Sequence, residues 1–195
     1  MRRIIIAISG ASGAIYGIRL LEVLKKLEIE THAIISPSAF KTIGYETFYT
    51  IEEVKAMCDY LYDSKDIGAT ISSGSYPVEG MIVAPCSIKS LASIANSLND
   101  NLLTRAADVT LKERRKLVLM LRETPFHLGH INHMKTVTEI GGIILPPVPS
   151  FYHKPKSIDD IVNQSVGKAL DQFGIDAKLF ERWSGLENDK ERVGV

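Results

Sequence analysis

Residues 3–17 read Arg-Ile-Ile-Ile-Ala-Ile-Ser-Gly-Ala-Ser-Gly-Ala-Ile-Tyr-Gly, and this stretch limits the possible folds most tightly. A continuous β-branched run is the mark of a strand buried on both faces, and the small residues after it make a tight turn. Leu20, Leu21 and Leu24 then recur at helical spacing. Strand, turn and helix start together form a phosphate-binding device. Gly10 and Gly13 admit a ligand close to the backbone, and the first helical turn presents unpaired N–H groups with a partial positive charge. Ser12 adds a hydroxyl at its centre. Glycines at 10, 13 and 17 lack the G-x-G-x-x-G spacing of dinucleotide-binding loops. The second predicted strand, Thr31–Ser36, ends in serine where such proteins carry the acid that grips a ribose diol. The turn therefore reads as a mononucleotide site, which FMN fits better than a dinucleotide.

Strand-like runs alternate with helix-like ones along the chain, the pattern of a parallel sheet covered by helices on both faces. Strands are predicted at 3–9, 31–36, 81–84, 116–121 and 142–145, with one more short strand near Thr70. Helices are predicted at 14–27, 38–47, 51–60, 88–97, 125–140 and 158–173. Four strands end in small or polar residues: Ser9-Gly10, Ser36, Pro85-Cys86-Ser87 and Arg122-Glu123. In an open α/β sheet the carboxyl ends of the strands form the ligand crevice, so the chemistry is expected at these junctions. Four prolines between Pro146 and Pro155 make that segment a stiff, extended loop presenting Phe151 and Tyr152.

A length of 195 residues suits one domain, taken here as 1–185, with a charged tail at 186–195 expected to fray. Acidic and basic residues balance at 23 each, so no global field calls for nucleic acid or a membrane surface. Two cysteines make no disulfide framework, and a cytoplasmic location is expected. The apolar run after Arg2 and Arg3 is shorter than a secretory core, and no segment approaches the length of a membrane span.

At the fourth junction, Arg122 is suited to bind an anion and Glu123 to move a proton; an ordinary solvated pair is the competing reading. Ser87 and Ser90 suit either a helix cap or a ligand edge. Cys86 has no base nearby in sequence and reads as a small buried hydrophobe. Arg105, Lys112, Arg114 and Arg115 form a basic cluster that serves a phosphate, a subunit contact or merely a solvated face. His127, His130 and His133 raise a metal site, but spacing by three drifts around a helix and no cysteine or carboxylate completes a set. Asp159-Asp160 lacks the second acidic pair of a magnesium–diphosphate site. No metal is expected.

Gly10-Ala-Ser-Gly-Ala, Ala84-Pro-Cys-Ser, Arg105-Ala-Ala-Asp-Val, Leu111-Lys-Glu-Arg-Arg, Arg122-Glu-Thr-Pro, Pro149-Ser-Phe-Tyr-His and Arg182-Trp, in that order, resemble the UbiX-type flavin prenyltransferases, part of a wider group of flavin-binding Cys-decarboxylase-like proteins. The resemblance runs from Arg3 to Trp183. It implies a three-layer Rossmann/flavodoxin-like α/β fold, assembled as a homododecamer with active sites between subunits. It implies an enzyme that joins the dimethylallyl group of dimethylallyl monophosphate to N5 and C6 of reduced FMN without a metal. The product, prenylated FMN, would serve a UbiD-type decarboxylase in ubiquinone biosynthesis or aromatic acid breakdown. By the same resemblance Gly10, Ala11 and Ser12 hold the flavin, with Ser12 near N5, and Ser36, Ser87, Ile88, Lys89 and Ser90 also contact it. Arg122 would meet flavin and substrate phosphate, and Tyr152 the dimethylallyl phosphate, with Arg105 and Lys112 nearby across an interface. Glu123 and Glu46 are the acidic candidates, and Trp183 would close the site. Lys168 stands where some members carry arginine; it keeps the charge but loses the bidentate fork. A flavin-dependent cysteine decarboxylase is the alternative enzyme, but its first-helix histidine has no counterpart in Ala14-Ile-Tyr-Gly. A non-catalytic FMN carrier subunit of an aromatic acid decarboxylase is the alternative without turnover.

Overall fold

The isoleucine-rich run forms strand β1, Arg3–Ile8, and its side chains divide between the two faces of a sheet. Ile4, Ile6 and Ile8 join one apolar cluster, and Ile5 and Ala7 join another. Each buried isoleucine contributes about 1.5–3 kcal/mol, so a strand apolar on both sides is stable only at the centre of a covered sheet. The computed structural model describes residues 2–185 and shows that arrangement. The expected frayed tail at 186–195 lies outside the described residues.

Five further strands flank β1: β2 (Glu30–Ile35), β3 (Tyr60–Tyr62), β4 (Gly80–Cys86), β5 (Lys116–Leu121) and β6 (Ile143–Ile144). All neighbours pair in parallel, in the order β3-β2-β1-β4-β5-β6. Helices α1 (Ala14–Lys26), α2 (Pro37–Glu46), α3 (Ile51–Met57) and α7 (Ile158–Asp171) cover one face; α4 (Ile88–Ala95), α5 (Leu102–Lys112) and α6 (Leu128–Glu139) cover the other. Gly17 lets α1 lie directly on the sheet, since a Cβ there would stand 2.3 Å from the Ala84 carbonyl. The strand order reverses between β1 and β4, and an open α/β sheet presents its crevice at that switch point.

Several local expectations are corrected. Helix α3 stops at Met57, short of the expected residue 60, and Tyr60–Tyr62 form edge strand β3. The strand expected near Thr70 is a single 3₁₀ turn, Thr70–Ser72. Helix α5 was not anticipated: its basic residues mask an apolar stripe of Leu102, Leu103, Ala106, Ala107 and Val109, all buried. Helix α6 begins at Leu128 rather than Pro125.

Candidate functional site

The residues that follow β1, β2 and β4 meet at the switch point in a crevice of about 560 Å³. Ser36 ends the β2 junction and caps α2, its hydroxyl accepting from Ala39 N–H at 3.1 Å. Ser87 caps α4 the same way, accepting from Ser90 N–H at 3.2 Å, and its Oγ lies 3.0 Å from Ser90 Oγ. Asn101 caps α5, accepting from Thr104 N–H at 3.1 Å. All three caps line the crevice, so the N-termini of α2, α4 and α5 converge on one space. Their partial positive charges sum there, with Lys65 and Lys89, against the single acid Asp100, among the lining residues. Gly10 brings the first turn against α2, because a Cβ would overlap Ser38 Cβ at 2.3 Å. Ser9 ties two junctions together: its hydroxyl donates to Pro85 O at 2.7 Å and accepts from Ser87 N–H at 2.8 Å. Hydroxyls, backbone donors and convergent helix ends fit an anionic mononucleotide such as FMN.

The N-terminus of α1, expected to cradle phosphate, is instead occupied from within the chain. Gly13, at φ 98°, opens α1 without a side-chain cap of its own. The Glu46 carboxylate, from the end of α2, accepts from Gly13 N–H at 2.7 Å and Ala14 N–H at 3.4 Å. Glu46 therefore caps α1 at the 10–13 turn, and the crevice lies beside it. Ala11 and the exposed Ser12 complete the same turn.

At the fourth junction Arg122 is exposed and Glu123 half-buried. Arg122 N–H donates to Cys86 O at 3.0 Å, joining this junction to the third. Burial pushes the Tyr16 phenol of α1 above its ordinary value, opposed by the Ser165 side chain and, less, by the Arg122 charge. Burial also pushes the Cys86 thiol up to about 12, which keeps it protonated and unreactive at neutral pH.

The remaining expected residues are distributed more widely. Ile88 packs into the core beneath the crevice rather than facing it, while Lys89 lines it. Tyr152 stands exposed on the proline loop, in edge-to-face contact with Trp183 at 6.0 Å and His153 at 5.4 Å. Lys168, exposed on α7, lies 3.9 Å from Asp171. Arg105 is engaged by Asp108 and the Ser72 carbonyl, both at 3.3 Å. Lys112 pairs with Glu113 at the far end of α5, about 15 Å from the crevice by helical rise. Within one chain Arg105 and Lys112 do not join the crevice. Lys65, Ser64, Asp100 and Asn101 do, and only the α5 cap, Asn101 ahead of an apolar stripe, was discoverable from sequence. Among the described residues no group of three or more His, Cys, Asp or Glu side chains is arranged to hold a metal ion.

A doubly wound sheet with an anion-binding crevice at its switch point defines a nucleotide-binding α/β protein, and a flavoprotein family model matches residues 1–170. Flavin prenyltransferase UbiX of Thauera aromatica is 60% identical over 185 residues, 95% of either chain. The crystal structure of AnUbiX (PadA1) in complex with FMN and dimethylallyl pyrophosphate superposes with a TM-score of 0.93 at 50% identity, covering 94% of this chain and 98% of that one. A dodecameric FMN-dependent UbiX-like decarboxylase from Escherichia coli O157:H7 superposes at 0.92 with 44% identity, covering 94% of this chain and all of that one. The chain belongs to the UbiX flavin prenyltransferase family, and it is an enzyme of the prenyltransferase class.

Proposed function

We propose that this chain transfers a dimethylallyl group from dimethylallyl monophosphate to N5 and C6 of reduced FMN, so that the flavin is substrate and leaves as prenylated FMN. The observation that carries this reading is the crevice where three helix N-termini and Gly10 meet, in a chain 60% identical to a flavin prenyltransferase. In this reading Ser36, Ser87, Lys89 and Ser90 hold the flavin, and the turn Gly10–Ser12 lies along its reactive edge. Arg122 and Lys168 supply positive charge for the departing phosphate, a role that needs no divalent ion. Tyr152 presents its hydroxyl to the same phosphate from a loop whose prolines lower the ordering cost of binding. Glu123 removes the proton released at C6, and Glu46 holds the reactive turn. Trp183, already against Tyr152, covers the allyl group and excludes water. Residues 1–185 act as one flavin-binding domain. Twelve copies assemble as in the dodecameric relative, which brings Arg105 and Lys112 of one subunit toward the site of another. The product passes to a UbiD-type decarboxylase in the cytoplasm; no helix among the described residues is long and apolar enough to cross a membrane.

The test is anaerobic incubation of the enzyme with reduced FMN and dimethylallyl monophosphate, followed by mass spectrometry of the flavin. A flavin heavier by one isoprenoid unit is expected, with a parallel arm supplying the pyrophosphate. Unchanged FMN in both arms would overturn the reading.

A further inference from the structure

The three histidines at the start of α6 are accounted for by neither a metal nor the flavin crevice, yet they follow directly on Arg122-Glu123. The turn 122–127 joins β5 to α6 and is held at its two ends. At one end Arg122 N–H donates to Cys86 O. At the other, His127 caps α6, its Nδ1 accepting from Gly129 N–H at 3.0 Å. Between these points Glu123 Oε1 accepts from Thr124 N–H at 3.0 Å, and one side chain from outside the turn, His130, packs on it. The His130 ring lies 3.6 Å from the His127 ring centre, tilted by 37°, and 6.4 Å edge-on from Phe126. His130 also continues the inner stripe of α6: Met134 and Val137, four and seven residues on, pack into the core shared with Leu91 and Ile94 of α4. The stripe thus anchors His130 to the body of the protein, and His130 in turn fixes Phe126 and His127. Its Nδ1 is buried without a hydrogen-bond partner, so no polar contact at that atom sets the ring's position.

We propose that His130 is a positioning residue for prenyl transfer, bracing the 122–127 turn through Phe126 and His127 so that Arg122 and Glu123 are presented at fixed places to the flavin and the departing phosphate. The inference rests on the prenyltransferase reading above and extends it to a residue that touches neither reactant. Loosening of the brace displaces both groups, and a displacement near 1 Å at a reacting centre costs on the order of 100-fold in rate.

His130→Ala, His130→Phe and the control His133→Ala are compared with the wild type for kcat, KM for dimethylallyl monophosphate, FMN affinity and Tm. His130→Ala is expected to lower kcat by roughly 10- to 100-fold with FMN affinity nearly unchanged, because the crevice is built by other elements. His130→Phe, which keeps the ring contacts and drops both nitrogens, is expected to restore most of that loss. His133→Ala is expected to behave as wild type. Wild-type kcat in His130→Ala overturns the inference. So does a loss of FMN affinity or Tm that accounts for the whole effect, or a His130→Phe enzyme as slow as His130→Ala. A wild-type enzyme that forms no prenylated flavin overturns the underlying function instead, whatever the variants do.

Discussion

At three positions, Glu123, Tyr152 and Gly10, a single substitution tests the proposed reaction. Glu123 is half-buried at the mouth of β5, and its Oε1 accepts from Thr124 N–H at 3.0 Å. Glu123→Gln keeps the shape and removes the base; FMN titration should be unchanged while prenylated flavin forms slowly or stalls before the final proton loss. Normal turnover would remove Glu123 from the reaction. Tyr152 contributes a hydroxyl on a stiff loop, so Tyr152→Phe should raise KM for the prenyl phosphate with a smaller effect on kcat. An unchanged KM would argue against that contact. Gly10 bears no functional group, yet any Cβ there overlaps Ser38. Gly10→Ala should cost about 1–3 kcal/mol by overpacking and weaken FMN binding through the displaced α2 cap, which flavin fluorescence quenching would detect. Much of this was legible in the sequence, because a strand-end serine or an Arg-Glu pair announces its position. Glu46 was legible as an acid, but its attachment to Gly13 N–H depends on where α2 ends, and no local pattern encodes that contact.

At the level of elements, caps explain most helix starts. Thr50 with Glu53 and Ser157 with Asp160 form reciprocal capping boxes for α3 and α7. Helix α1 borrows its cap from α2, so Glu46→Ala should lower stability by about 1 kcal/mol and loosen the 10–13 turn, measurable by denaturant titration. The edge of the sheet uses a different device. Glu30, 13% exposed, accepts from Arg3 Nε at 2.7 Å and shares a hydrogen bond with His32 Nε2 at 2.9 Å. The bond to His32, and then Arg3, hold its carboxyl below the ordinary 4.5. A depressed value means stability present above the unfolded pKa and lost as pH falls through the folded one. Glu30→Gln should therefore melt lower than wild type at pH 7, and the gap should close only below about pH 4.5. A gap that persists at pH 3 would assign the loss to packing. This edge was illegible in the sequence: Tyr60, Leu61 and Tyr62 continue a helical apolar pattern, and only pairing with His32, Ala33 and Ile34 makes them a strand. Helix α5, not expected beforehand, carries an apolar stripe of helical period, so the signal for it is local and only its charges mask it.

For the whole molecule, the alternation of strand and helix was enough to imply a parallel sheet, but the assembly lies beyond any one chain. Phe48, Tyr45, Leu128, Ile158 and Phe151 are largely exposed, with Phe48 wholly so. Such side chains on a chain whose relative is dodecameric are expected to be covered by neighbouring copies. Light scattering should give a mass twelve times 21.6 kDa, and a monomer would refute that assembly. Arg105 and Lys112 lie away from their own crevice, and the proposed assembly accounts for that placement: sequence order records which residues exist, not whose site they enter. Helix α2 spans a single chain's site from end to end. Ser36 at its start lines the crevice, and Glu46 at its finish holds the 10–13 turn through Gly13 N–H. On the proposed reading, ten residues rising about 1.5 Å each act as a caliper between the flavin's phosphate and the place where its ring reacts. One residue inserted in α2 would swing Glu46 by about 100° off Gly13, so the length of this helix is as much a part of the site as any side chain in it.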